Sequence, residues 1–143
     1  MISTESMISY KVKVDRKRTT RQAIAATGMK RYVNPDAINA IQQGGCEEIE
    51  VFFFRLSGNT IENDELANEY EKRGLMPDPI AQMAVHEAYP EFTAQYRHGT
   101  QWKDENGKWC FAVFEIILNE YVLNINNFRF LFGENLYNGG VLK

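Results

Sequence analysis

Between Trp102 and Ile125 the chain holds two turn signals around a run of strand-forming residues, and no other stretch constrains the fold as strongly. Asn106-Gly107 has the chemistry of a tight hairpin turn, because both residues tolerate positive φ. It separates Trp102 from Trp109. The next turn signal is Asn119-Glu120. A loop there pairs 118 with 121, 116 with 123 and 114 with 125. That register sets Phe114, Ile116 and Leu118 on the face of Tyr121, Leu123 and Ile125, with Glu115 opposite Asn124. Face and turn then agree, as a half-buried sheet requires. Phe128, Phe130 and Phe132 alternate once more before Gly133, which predicts a further strand. The expectation is a C-terminal antiparallel meander.

Upstream the period changes from segment to segment. Ile8, Tyr10, Val12 and Val14 alternate with Ser9, Lys11 and Lys13, the mark of a strand over Met7 to Val14. Thr19 and Gln22 fit a capping box, and Gly28 suits the left-handed residue past a helix end, with Met29 folding back to Ile24. Asn34 as cap and Pro35 at the first position start a second helix, carrying Ala37, Ile38 and Ile41 and ending at Gly44 or Gly45. A second strand is expected from Glu48 to Leu56. Its Glu48 and Glu50 can face Lys13 and Lys11, which makes the two strands neighbours. A third helix spans Asp64 to Arg73, capped by Asn63 and stopped by Gly74. A fourth has Asp78 as cap, Pro79 at its first position and Pro90 as its limit. The order β-α-α-β-α-α-β-β-β(-β) reads as one α+β domain over 1–143, with four short helices on one face of a mostly antiparallel sheet.

Composition narrows the functional classes. The 143 residues are 44% apolar and 24% charged, which excludes a disordered or fibrous chain. A net charge of −3 argues against a protein whose whole surface binds nucleic acid or membrane. Met1 to Tyr10 shows no basic and apolar leader, and the longest apolar stretch, Trp109 to Leu118, is too short for a membrane helix. A cytoplasmic location is the default expectation, with a signal-less secretion route left open.

The chemistry-bearing residues are few. Cys46, His86, His98 and Cys110 are the minimum set for a zinc site, yet their spacings contain no close ligand pair, so they are not expected to converge. His86-Glu87 resembles half of a metalloprotease H-E-x-x-H motif, but Pro90 stands where the second histidine is needed. Gln82 and His86 share the helix face away from Met83, and a solvated histidine is the expectation. Cys46 follows Gly44-Gly45 in an expected loop, with nothing to place an imidazole beside it. Glu115 interrupts an apolar strand and is expected on a partly covered face. No phosphate-binding glycine loop or nucleophile elbow occurs, so no catalytic or cofactor residue is assigned.

The strongest functional signal is charge. Residues 11–31 hold eight Lys/Arg and one Asp, whereas 32–143 hold eight Lys/Arg and 17 acids. Arg16, Lys17, Arg18, Arg21, Lys30 and Arg31 are candidate phosphate contacts. A helix-turn-helix fits poorly, since the link from Gly28 to Asn34 is long and the second helix offers Asp36 but no Lys or Arg. Tyr89, Phe92, Tyr96 and Trp102 form an aromatic cluster suited to a small core or to a protein partner. The stretch Gly99 through Phe114, with Trp102-Lys103-Asp104-Glu105-Asn106-Gly107-Lys108-Trp109-Cys110, together with Glu69 to Leu75, resembles small uncharacterised bacterial proteins. That resemblance implies no activity and carries no site residue over. The reading is a non-enzymatic domain acting through a protein partner or self-association, with phosphate-contacting nucleic-acid binding through 11–31 as the alternative.

Overall fold

The computed structural model describes residues 7–38, 45–56, 61–128, 130, 132–133 and 135–143. Among them the elements run β1 (Ile8–Asp15), α1 (Thr20–Ala26), β2 (Lys30–Val33), α2 (Pro35–Ile38), β3 (Cys46–Arg55), α3 (Asn63–Lys72), β4 (Leu75–Met76), α4 (Pro79–Ala88), α5 (Pro90–Gln95), β5 (His98–Lys103), β6 (Trp109–Ile117), β7 (Glu120–Asn126) and β8 (Tyr137–Leu142). Ile41 and Gly44, assigned to the second helix, lie outside the described residues. The strands form one sheet in the order β1-β3-β8-β5-β6-β7-β2, with β4 added alongside β8. Pairing is antiparallel except at β5–β8 and β2–β7. The fold is α+β, and β5, β6 and β7 form the expected meander. No helix among the described residues is long and apolar enough to cross a membrane.

Several local signals act as their chemistry dictates. Lys11 lies opposite Glu50 and Lys13 opposite Glu48. The Thr19–Gln22 capping box is formed, and Gly28 has φ +70. Asp78 caps α4 by accepting from the Ala81 amide, with Pro79 at the first position. Gly74 ends α3 at φ +68, although the cap is Glu62, one residue before Asn63.

The β6–β7 register corrects the expected pairing. Phe114 faces Leu123 and Ile116 faces Tyr121, so 114 does not meet 125 and 116 does not meet 123. The turn is Leu118-Asn119, at φ 50 and 64, instead of Asn119-Glu120. Glu115 accordingly lies opposite Val122, not Asn124. The shift is two residues, so every side chain keeps its expected face. Of this run, the described residues Phe128, Phe130 and Phe132 belong to no strand. Phe132 makes one isolated bridge to Ile61, while Phe128 and Phe130 pack their rings on Phe111.

Helices cover both faces of the sheet, not one. Val12, Val14, Phe53, Ala112, Phe114, Leu123 and Ile125 pack with Ala23, Ile24, Ile80 and Met83 from α1 and α4. The alternate residues Phe54, Phe111 and Val113 pack with Leu66 and Tyr70 of α3 and with Phe132 and Leu136. Burial on two sides explains why β3 reads Phe52-Phe53-Phe54 without alternation. Phe53 and Phe54 are each fully buried, worth about 1.5–3 kcal/mol apiece in apolar transfer. Both layers approach β8 closely at Gly139 and Gly140. A Cβ on Gly139 would meet the Gln82 amide and lie 2.8 Å from the Phe53 ring, and one on Gly140 would lie 2.9 Å from the Tyr70 ring.

Candidate functional site

The two histidines, far apart in sequence, meet in the interior. Gln82 and His86 lie one turn apart on α4, Thr93 sits on α5 and His98 opens β5. The Gln82 side-chain amide donates to the Gly99 carbonyl at 3.0 Å and contacts His98 Nδ1 at 2.9 Å. Thr93 Oγ1 lies 2.9 Å from His98 Nε2 and 2.7 Å from His86 Nδ1. Donor counting assigns the protons. Gln82 supplies two N–H groups, so His98 Nδ1 accepts. His98 Nε2–H then donates to Thr93, whose hydroxyl donates to His86 Nδ1. Every bond of this chain needs both imidazoles neutral.

Burial pushes in the same direction. It lowers the pKa of His86 to about 4. Burial, and then repulsion from His86, holds His98 well below its usual value. Phe114 stacks on His98 at 4.6 Å and 8°, and Tyr121 meets His86 edge-on at 4.8 Å. The expectation of a solvated His86 is therefore corrected, since it is 3% exposed, and Gln82 on the same helix face is 0% exposed. The cause at His86 is α5 and β7. Pro90 ends one helix but also begins another, and Thr93 of that helix reaches the His86 ring while its Phe92 packs on His98. The network ties α4, α5 and β5 together. Among the described residues, neither imidazole hydrogen-bonds a hydroxyl or thiol other than that of Thr93, which is itself enclosed at 2% exposure.

The cysteines lie elsewhere. Cys46 is not in a loop. It is the first residue of β3, exposed, with its thiol 3.4 Å from Asp15 Oδ1. Cys110 is buried in β6 opposite Trp102, and burial with the nearby Asp104 raises its thiol to about 11. No group of three or more His, Cys, Asp or Glu that could hold a metal occurs among the described residues. Glu115 is half-buried and accepts from Arg97 at 3.1 Å.

The six basic candidates divide. Arg16 reaches Asp78 at 3.1 Å and Glu47 at 3.0 Å, clamping the end of β1 to the cap of α4. Arg18 pairs with Glu87 at 3.1 Å and Lys30 with Glu120 at 3.6 Å. Lys17, Arg21 and Arg31 are exposed. Arg16, Lys17 and Arg18 follow β1, whereas Lys30 and Arg31 belong to β2, and β1 and β2 are opposite edges of the sheet. The link from Gly28 to Asn34 is strand β2 rather than a turn, so α1 and α2 make no helix-turn-helix.

Two apolar features remain on the surface. The β6–β7 tip presents Ile116 at 41%, Ile117 at 46% and Leu118 at 92% exposure. At the other end of β6, Tyr70, Leu75, Met76, Trp102, Lys103 and Trp109 line a groove of about 360 Å³. Its indole and amide groups are already engaged. Trp102 Nε1 donates to the Ala37 carbonyl at 3.0 Å and Trp109 Nε1 to Asp64 at 3.1 Å. The Gln101 amide is paired with Asn63 through both its oxygen and its nitrogen. Of the expected aromatic cluster, Phe92 is core at 1% exposure, while Trp102 turns one edge to this groove. Sequence reasoning missed both features, since Ile116 to Leu118 read as ordinary strand and the groove joins segments remote in the chain. No protein-family model, no curated protein and no solved structure matches this chain.

Proposed function

We propose that this domain acts non-enzymatically, by protein contact, and that the β6–β7 tip is the surface it presents. One observation carries the reading. Leu118 combines 92% exposure with φ +50. A left-handed backbone costs a leucine about 1–2 kcal/mol, and an exposed side chain recovers none of it by packing. The Asn106-Gly107 turn, by contrast, places a glycine at φ +78. Strain and apolar exposure coinciding at one residue favour a selected contact over a stability role. Ile116 and Ile117, successive residues of β6, leave apolar side chains exposed on the two opposite faces beside the tip. The enclosed, neutral histidines support a structural role for the chain's only imidazoles.

The test separates stability from contact. Leu118→Asn suits a type I′ turn and removes the exposed apolar group. The expected result is a protein about 1 kcal/mol more stable in urea that loses a partner cross-linked to the wild type in its native cells. A variant that keeps every wild-type cross-link, at any stability, refutes the reading.

A further inference from the structure

We propose that the groove walled by Trp102, Trp109 and Met76 receives the β6–β7 tip of a second copy of this chain, so that copies join head to tail. This deepens the reading of the tip as a contact surface and rests on it. The groove's chemistry selects its occupant. Both indole N–H groups and the Gln101 amide are already paired inside the molecule. What faces outward is ring surface and the Met76 thioether chain, which is 47% exposed. This part of the lining suits aliphatic side chains, and the charged groups beside it are Lys103, Lys143 and Glu71. The chain exposes three consecutive aliphatic residues in one place, Ile116-Ile117-Leu118.

Charge gives the same answer. Lys103 stands at the groove with its ammonium 4.8 Å from the Trp109 ring, and it meets no carboxylate among the described residues. Lys143 lies beside it, paired with Glu71. The tip is followed at once by Glu120, whose side chain is 61% exposed and whose one ion pair, to Lys30, is long at 3.6 Å. An inserted tip carries Glu120 toward Lys103. The contact cannot close within one molecule, because Trp109 and Ile117 are the opposite ends of β6, roughly 26 Å apart at 3.3 Å per residue. It is heterologous, so it propagates unless geometry closes a ring. A three-residue insertion is also smaller than a standard stable interface, so the association is weak and concentration-dependent.

Sedimentation velocity on the full chain at ~10 to ~500 µM tests this, in the concentration range expected of a small interface. Leu118→Asp removes the tip and leaves the groove, and Asp accepts the left-handed backbone. Met76→Glu spoils the groove at an exposed side chain and leaves the tip. Unchanged far-UV circular dichroism and a thermal midpoint no lower than that of the wild type establish that each variant is folded. The expected result is a wild-type average mass that rises past the dimer, two monomeric variants, and a 1:1 mixture that forms a dimer and stops there. Three outcomes overturn the proposal: a wild type that is monomeric throughout, a closed dimer lost in Leu118→Asp, or a mixture that fails to complement. If the wild type stays monomeric while Leu118→Asn still loses a cross-linked foreign partner, the head-to-tail contact falls and the tip keeps its role.

Discussion

Acid is the perturbation to which the buried histidine pair makes this fold most sensitive. In the unfolded chain each histidine titrates near 6.5. In the folded chain His86 titrates at about 4 and His98 is held well below its usual value. Between the unfolded and folded values the unfolded state binds more protons. Stability is therefore fully present above about pH 6.5 and is lost as pH falls through that window. At pH 5 an unfolded histidine is almost fully charged while His86 in the fold is almost fully neutral, a difference of about 2 kcal/mol, and His98, held well below its usual value, adds to it in the same direction. No carboxylate among the described residues opposes this, since burial alone lowers His86, and burial followed by repulsion from His86 lowers His98. Against a total of about 5–15 kcal/mol, such a loss lowers the thermal midpoint by roughly 10 °C. Urea denaturation at pH 7, 6 and 5 measures it, and carboxylate titration contributes little in that range. His98→Gln costs stability at pH 7, because it loses the Phe114 stack, but it halves the pH slope. A wild-type curve flat within about 0.5 kcal/mol from pH 7 to 5, or a variant with the wild-type slope, refutes the assignment of both rings as neutral.

The close approach at β8 makes Gly139→Ala destabilising by about 2–3 kcal/mol in urea denaturation, because the new methyl group meets both the Gln82 amide and the Phe53 ring. Arg16→Ala costs about 2 kcal/mol by the same assay, since it leaves the partly buried Asp78 carboxylate without its guanidinium. Iodoacetamide at pH 8, followed by mass spectrometry, labels the exposed Cys46 fast and leaves Cys110 unmodified until the chain is unfolded, as its burial and its thiol pKa of about 11 require.

What was legible in the sequence is what local chemistry decides. The helix caps at Thr19 and Asp78, the stop at Gly74 and the Lys11–Glu50 and Lys13–Glu48 pairs each depend on neighbours or on one cross-strand contact. The misses share a different cause. β8 lies inside the sheet, between β3 and β5, yet its Asn138-Gly139-Gly140 core has neither branched nor alternating residues. It pairs there because glycine lets Gln82 and Phe53 approach from one side and Tyr70 from the other, a tertiary requirement with no local signature. β2 is four residues of Lys-Arg-Tyr-Val whose partner, β7, lies some 90 residues on. Gln82 and His86 read as a polar helix face because the elements that cover them, β5 and β8 at Gln82 and α5 and β7 at His86, come later in the chain.

The β6–β7 register shows the limit most clearly, and it is also where the proposed contact arises. Two loops, 118–119 and 119–120, leave identical residues on each face when the register shifts by two, so the apolar pattern cannot choose between them. Turn propensity favours Asn-Glu over Leu-Asn, because leucine is a poor left-handed residue. The structure nevertheless places Leu118 at φ 50 and Asn119 at φ 64. With 118–119 as the turn, Phe114 meets Leu123 and Ala112 meets Ile125, all four buried at 0% exposure. The alternative would set Phe114 against Ile125 and slide Leu118 from the tip into a pair with Tyr121. Core fit across the pair thus outweighs a turn penalty of about 1–2 kcal/mol, as burial of one more large side chain can. The consequence is the surface on which the functional reading rests. Had the turn followed its local preference, Leu118 would be a strand residue and the tip would be polar.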